Sequence, residues 1–165
     1  VSLLPLRTNL QMTGLVISDT HGVTEPVSEL IRRISPQYVV FLGDCVRDIE
    51  GIMSEFPEIT LYAVKGNNDI FSHYPEALFF RVGGRAVFAV HGHRYRDITS
   101  LCLAAAENGA DTILFGHTHR VFLKTEEDGT VIMNPGSVRD TATYGIIDDN
   151  GASVHDFSGR QQSES

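Results

Sequence analysis

Ile113-Leu114-Phe115-Gly116-His117-Thr118-His119 carries an apolar, β-type run into a glycine and then sets two histidines one residue apart. In an extended backbone alternate side chains share a face, so His117 and His119 are expected to project together, about 6 to 7 Å apart at Cα. That spacing suits two neighbouring metal ions better than one. Four other segments bring chemically capable residues directly after an apolar run. Asp19-Thr20-His21 follows Leu15 to Ser18, and Gly43-Asp44 follows Val39 to Leu42. Gly66-Asn67-Asn68-Asp69 follows Leu61 to Val64, and His91-Gly92-His93 follows Val87 to Val90.

The five tips recur at intervals of about two dozen residues, each long enough for one strand and its return. Successive motifs are therefore expected at one edge of a sheet, the carboxyl edge where open α/β sheets bind ligands. Between the tips, Thr24 as cap, Pro26 in a first turn and Val27, Leu30, Ile31 and Ile34 on one stripe predict a helix closed by Pro36. Asp48 is expected to start a second helix running to about Phe56, and Asp97 to cap a third that Gly109 ends. The order changes after Val64: Leu78 to Val82 and Arg85 to Val90 flank Gly83-Gly84 as a hairpin. Val121 to Thr125 and Thr130 to Met133 pair across Asp128-Gly129, and Thr143 to Ile147 and Ala152 to Phe157 across Asp148 to Gly151. Alternating α/β order thus gives way to antiparallel pairing.

The 165 residues form one expected domain, 1–165, large enough to bury a core without metal or disulfide staples, so stability does not explain the histidines. Residues 1–12 read as a loose N-terminal extension with Met12 as the expected initiator, and 159–165 as a polar, flexible tail. Cys45 and Cys102 make no disulfide framework, and no leader or spanning segment is evident, which points to the cytoplasm and away from membranes. A formal charge of −8 excludes long nucleic acid as the main ligand, because no basic stripe neutralises its phosphates. A small phosphorylated metabolite remains compatible, as does a homo-oligomer.

The candidate metal ligands are Asp19, His21, Asp44, Asn67, His91, His117 and His119. Oxygen and imidazole donors without thiolate favour Mn2+, Fe2+/Fe3+, Co2+, Ni2+ or Zn2+ over soft metals, and the histidine count speaks against Ca2+ or Mg2+. Seven donors exceed one tetrahedral site and suit two ions sharing a carboxylate, about 3.5 to 4 Å apart. Two divalent cations outweigh two carboxylates and one bridging hydroxide, so the core would stay positive and ready for a phosphoryl anion. Coordination supplies that hydroxide near neutral pH by lowering the pKa of water from about 15.7 towards about 7.

Asp-x-His, Gly-Asp, Gly-Asn-x-Asp, His91-Gly92-His93 and Gly-His-Thr-His, in this order, resemble the motifs of the calcineurin-like metallophosphoesterase superfamily. The small size and Asn134-Pro135-Gly136-Ser137 resemble its short branch, the YfcE-type phosphodiesterases related to the retromer subunit Vps29. The resemblance implies a four-layer αββα sandwich of two mixed β-sheets flanked by helices, of the α/β (α+β) class. It implies one metal on Asp19, His21 and His119, another on Asn67, His91 and His117, and Asp44 as bridge, with Mn2+ favoured by family precedent. The implied activity is in-line hydrolysis of a small phosphodiester by the bridging hydroxide. The alternative is a Vps29-like metal-binding interaction module with little or no catalysis.

Asn68 stands where many superfamily members carry a histidine, and an amide cannot donate a proton in that role at pH 7. His93 is the candidate substitute acid or ligand orienter, so the catalytic positions read as His93 and Asn68. The Gly-Asp-x-x-Asp-Arg-Gly pattern of protein Ser/Thr phosphatases is absent, since Gly43-Asp44 continues as Cys45-Val46-Arg47-Asp48. His73 and His155 read as ordinary surface or core residues, and Cys45 as a packed side chain. The Asn134 to Ser137 segment reads equally as a plain turn or as a support for the ligands, and Arg139 as a surface residue rather than a phosphate contact.

Overall fold

The computed structural model describes residues 12–165, so the expected extension and the initiator assignment fall largely outside the described residues. Among the described residues ten strands form two five-stranded sheets. The first has the order β10-β9-β1-β2-β3, from β1 (Gly14–Ile17), β2 (Tyr38–Phe41), β3 (Thr60–Ala63), β9 (Thr143–Asp148) and β10 (Gly151–Asp156). The second has the order β4-β5-β6-β8-β7, from β4 (Ala77–Val82), β5 (Arg85–Val90), β6 (Thr112–Leu114), β7 (Phe122–Thr125) and β8 (Val131–Asn134). β1, β2 and β3 run parallel, as do β5, β6 and β8, while β9, β10, β4 and β7 pair antiparallel.

Strand periodicity sorts the apolar residues into three layers of core. Leu15, Ile17, Val39 and Phe41 pack on one side with Val27, Leu30 and Ile31 of α1 (Glu25–Ile34) and Ile49 and Ile52 of α2 (Val46–Met53). The alternate residues Val16, Val40, Val87, Ala89 and Leu114 meet between the sheets. Phe88, Val90, Ile113 and Phe115 face Leu101 and Ala105 of α3 (Ile98–Glu107). The result is the αββα sandwich implied by the motifs. Each fully buried Leu, Ile, Val or Phe contributes about 1.5 to 3 kcal/mol relative to exposure, so these layers dominate the fold's stability.

Local chemistry sets the helix ends, with two departures from expectation. α3 has the expected cap: Asp97 accepts from Ser100 N, with a reciprocal serine contact. Thr24, however, makes no side-chain cap bond to α1, which Ser35 ends in a left-handed turn at φ 49. α2 begins at Val46 rather than at Asp48, because its first amides find a carboxylate from elsewhere in the chain. The tail expected to be flexible makes backbone contacts with two strands. Gln162 N donates to Val154 O (2.7 Å) and Ser165 N to Leu123 O (2.6 Å), so 159–165 crosses from β10 to β7.

Candidate metal centre

The tips after β1, β2 and β3 come from the first sheet and those after β5 and β6 from the second, so the expected single-sheet edge is instead the meeting of two. Asp19 N donates to Gly43 O (3.0 Å) and Gly116 N to His91 O (2.9 Å), which joins neighbouring tips within each sheet. His117 N donates to Asp19 Oδ2 (3.3 Å), which joins the sheets themselves. Close approach here requires glycine. A Cβ on Gly66 would lie 2.1 Å from Asp44 Oδ1, and one on Gly116 would lie 2.2 Å from Ser18 Oγ.

Five of the seven candidate ligands have left-handed backbone: Asp19 (φ 56), His21 (φ 44), Asp44 (φ 64), His117 (φ 69) and His119 (φ 61). The extended geometry expected of His117 and His119 is therefore wrong. Two successive reversals, not strand alternation, aim the two rings at different neighbours. Such conformations cost about 1 to 3 kcal/mol each and persist where surrounding contacts over-determine them, typically at functional sites.

Ligand atoms of Asp19, His21, Asp44 and His119 all lie within 4.8 Å of one another. His119 Nε2 is 3.0 Å from Asp19 Oδ1. His21 Nε2 lies 3.8 Å from Asp19 Oδ1 and 3.9 Å from Asp44 Oδ2. It is buried and has no hydrogen-bond partner. A buried nitrogen between two carboxylates at these separations, too long for direct bonds, fits a cation held by all four groups.

Asp44 also faces the other way, with Oδ1 3.6 Å from His91 Nε2. His91 is wholly buried, and its Nδ1 donates to Leu42 O (2.7 Å). The carbonyl can only accept, so the proton sits on Nδ1 and the Nε2 lone pair points at the cluster. His117 Nδ1 lies 3.3 Å from that Nε2. Two nitrogens each about 2.1 Å from one ion at a tetrahedral angle would lie about 3.4 Å apart. Burial and the neighbouring His91 hold His117 below the usual imidazole range, and the same two causes act on His93. Both rings are thus neutral, the metal-binding form, at pH 7.

Of the remaining candidates, His93 stands beside this second group, 5.5 Å from His91 and 6.2 Å from His117 between ring centroids. Its buried Nδ1 has no partner. Asn67 is exposed and its side chain makes no hydrogen bond among the described residues. Asn68 is the amide in contact with Asp44: its Nδ2 donates to Asp44 Oδ2 (2.9 Å) and its backbone N to Asp44 Oδ1 (3.1 Å).

Three carboxylates that were not among the candidate ligands hold these candidates in place. Asp69 is buried and accepts from four backbone amides, those of Asp44, Cys45, Val46 and Gly66. It fixes the Asp44 loop and caps the N-terminus of α2, where a negative charge is favoured. Asp48 Oδ2 accepts from Thr20 Oγ1 (2.8 Å) and Gly22 N (2.7 Å), bracketing His21 on both sides. Asp140 meets His119 Nδ1, opposite the nitrogen that faces Asp19. Arg139 Nε bonds Asp140 (2.7 Å), and Arg139 first, His119 second, hold the Asp140 carboxyl down at about 2. Arg139 is thereby engaged within the chain. The Asn134 to Ser137 segment proves to be a support: Asn134 Nδ2 donates to Gly116 O and Thr118 Oγ1 (3.0 Å each), and Ser137 Oγ to Asp19 O (2.9 Å). Only Asp69 carried a sequence signal, its place in Gly-Asn-x-Asp.

Residues 12–150 match the calcineurin-like phosphoesterase superfamily domain. A probable metallophosphoesterase of Bacillus subtilis, YsnB, is 30% identical over 145 residues, covering 82% of this chain and 83% of the relative. Among solved structures, a predicted phosphoesterase from Streptococcus pneumoniae superimposes with a TM-score of 0.76 at 25% identity, covering 93% and 94% of the two chains. Vps29 from Entamoeba histolytica, solved in complex with zinc, shares the fold at a TM-score of 0.70 and 22% identity, with 87% and 91% covered. The chain belongs to the calcineurin-like phosphoesterase superfamily. Its relatives' names describe phosphoesterase hydrolases that depend on metal.

Proposed function

We propose that the protein is a two-metal phosphodiesterase acting on a small phosphodiester, with Mn2+ as the favoured ion and Ni2+, Fe2+/Fe3+, Zn2+ or Co2+ as substitutes. The observation that carries this reading is the double-faced Asp44, one oxygen toward His21 and the other toward His91. In this reading Asp19, His21 and His119 hold one ion, His91 and His117 the second, and Asp44 both, with Asn67 completing the second. When bound, the ions supply Lewis acidity and water acidified enough to attack phosphorus in line. The chain's own contribution is positioning. Asp140 and the Leu42 carbonyl each fix a ring so that the opposite nitrogen faces the cluster.

In this reading His93, beside the second group and with an unpartnered Nδ1, takes up a proton from water and hands it to the leaving oxygen as that oxygen's bond to phosphorus breaks. Asn68 orients the Asp44 carboxylate instead of acting as an acid. The two free cysteines suit a reducing, cytoplasmic setting. The test is hydrolysis of bis(p-nitrophenyl) phosphate by protein loaded with Mn2+. Turnover that His93→Ala and Asp44→Asn reduce supports the reading, and rates equal to the metal-only control with every candidate ion reject it. The Vps29 relationship favours a second reading, a metal-holding interaction module, since the Entamoeba protein of that name is described with zinc. An inert loaded protein that captures one stoichiometric partner would select it.

A further inference from the structure

Beside the cluster opens a groove of about 720 Å³ that the metal ligands do not explain. Gly22, next to His21, and Asn68, bonded to Asp44, line it together with Val46, Phe71 and Tyr74. Phe71 is 95% exposed and Ile70 beside it 75%, the two most exposed large apolar side chains among the described residues. Contiguous exposed apolar side chains rimmed by polar residues are the kind of surface that marks a ligand-binding groove.

The loop that carries them is anchored. Asp69 holds its start through four amides, Ser72 N donates to Asp69 O (3.1 Å), and Lys65 N donates to Pro75 O (2.9 Å) across its base. Phe71 is therefore presented on a fixed tip rather than on a slack one. The charges on the groove are Asp48, Glu50 and Asp69 against Arg47, so a second phosphate would be repelled there. Asp48 and Asp69 already accept bonds from the chain itself and Tyr74 packs on the core, so Phe71 and Ile70 are the exposed apolar surface that the groove offers.

We propose that this groove is the subsite for the organic ester group of the substrate, an uncharged flat aryl or heteroaryl ring that stacks on Phe71 while its single phosphoryl group sits at the metal cluster that Asp44 would help to hold. The assignment rests on the phosphoesterase reading above and adds the chemistry of the ester group to it. A ring stacked on one aromatic side chain gains about tenfold in affinity, and more when both faces are covered.

Calorimetric titration of the Mn2+-loaded protein with phenylphosphonate and with methylphosphonate separates the two levels, because the probes share the charged head and differ by the ring. The wild type is expected to bind phenylphosphonate about tenfold more tightly. Phe71→Ala, at a site too exposed to disturb folding, should erase that preference and leave methylphosphonate affinity unchanged, while Phe71→Tyr keeps the preference. A ring preference that survives in Phe71→Ala, or that is missing from a wild type binding methylphosphonate normally, overturns the groove assignment alone. Binding of neither probe overturns the phosphoryl site and the groove together.

Discussion

Replacing Asp69 by Asn changes one oxygen into an amide nitrogen and alters little else in shape. In the native chain Oδ1 accepts from Cys45 N (2.8 Å) and Val46 N (3.0 Å), and Oδ2 from Asp44 N and Gly66 N (2.8 Å each). Whichever way the new amide turns, two backbone donors lose their acceptor and face another donor. A buried donor left unsatisfied costs about 1 to 3 kcal/mol, so Asp69→Asn should lose about 4 kcal/mol, a large share of the roughly 5 to 15 kcal/mol of a typical domain. That corresponds to a fall of about 10 °C in Tm for a chain of this size. Because the lost bonds seat the left-handed Asp44 and the first amides of α2, the effect should appear without any metal. Urea unfolding of the chelated protein, followed by circular dichroism, measures it. A variant within about 1 kcal/mol of wild type, at an unchanged m-value, would refute the argument that Asp69 organises the Asp44 loop.

Gly66→Ala places a methyl 2.1 Å from Asp44 Oδ1 and 2.7 Å from Asp44 N, so Asp44 must move; the purified variant should retain no stoichiometric metal by elemental analysis, whereas Gly51→Ala, with open space around its Cβ, should retain it. Asp140→Asn should weaken metal binding about 10- to 100-fold, because the carboxylate charge is lost and His119 and Arg139 are left with one acceptor oxygen between them, and chelator competition reads that loss. Tyr38 is 1% exposed, and burial pushes its phenol up to about 12. The folded pKa lies above the unfolded value near 10, so the stabilisation is present below pH 10 and is lost as pH rises towards 12. The wild type should lose about 2 to 3 kcal/mol across that window that Tyr38→Phe does not lose. Parallel pH profiles for the two proteins would contradict the burial argument.

The strands and the order of the tips were legible because both follow from local pattern. Period-two burial and turn glycines recover β4 with β5, β7 with β8 and β9 with β10, and the apolar run before each ligand marks where it emerges. The assignment of tips to sheets was not legible, since parallel strands that share one edge in sequence order belong here to two sheets. Nor could the backbone of His117 and His119 be read: their left-handed turns are imposed by Asn134 and by the Asp19 carboxylate, far away in the chain. Asp48 looked like a helix cap because an acidic residue near a helix start usually is one. Its carboxylate instead reaches back to Thr20 and Gly22, and the capping falls to Asp69. Asp140 gave no signal at all, because a single aspartate in a polar stretch becomes informative only once His119 is seen against it. The contacts of the polar tail come from backbone and side chains together: Gln162 N and Ser165 N donate to Val154 O and Leu123 O, while Ser165 Oγ accepts from Leu123 N and Glu164 Oε1 from Thr125 Oγ1.

The account stands on Asp44 serving two ions. Crystals grown with Mn2+ and measured on both sides of the manganese edge test this directly. Two anomalous peaks flanking the Asp44 carboxylate, one among Asp19, His21 and His119 and the other beside His91 and His117, are the predicted result. A single peak, or peaks elsewhere on the surface with none at Asp44, would contradict it.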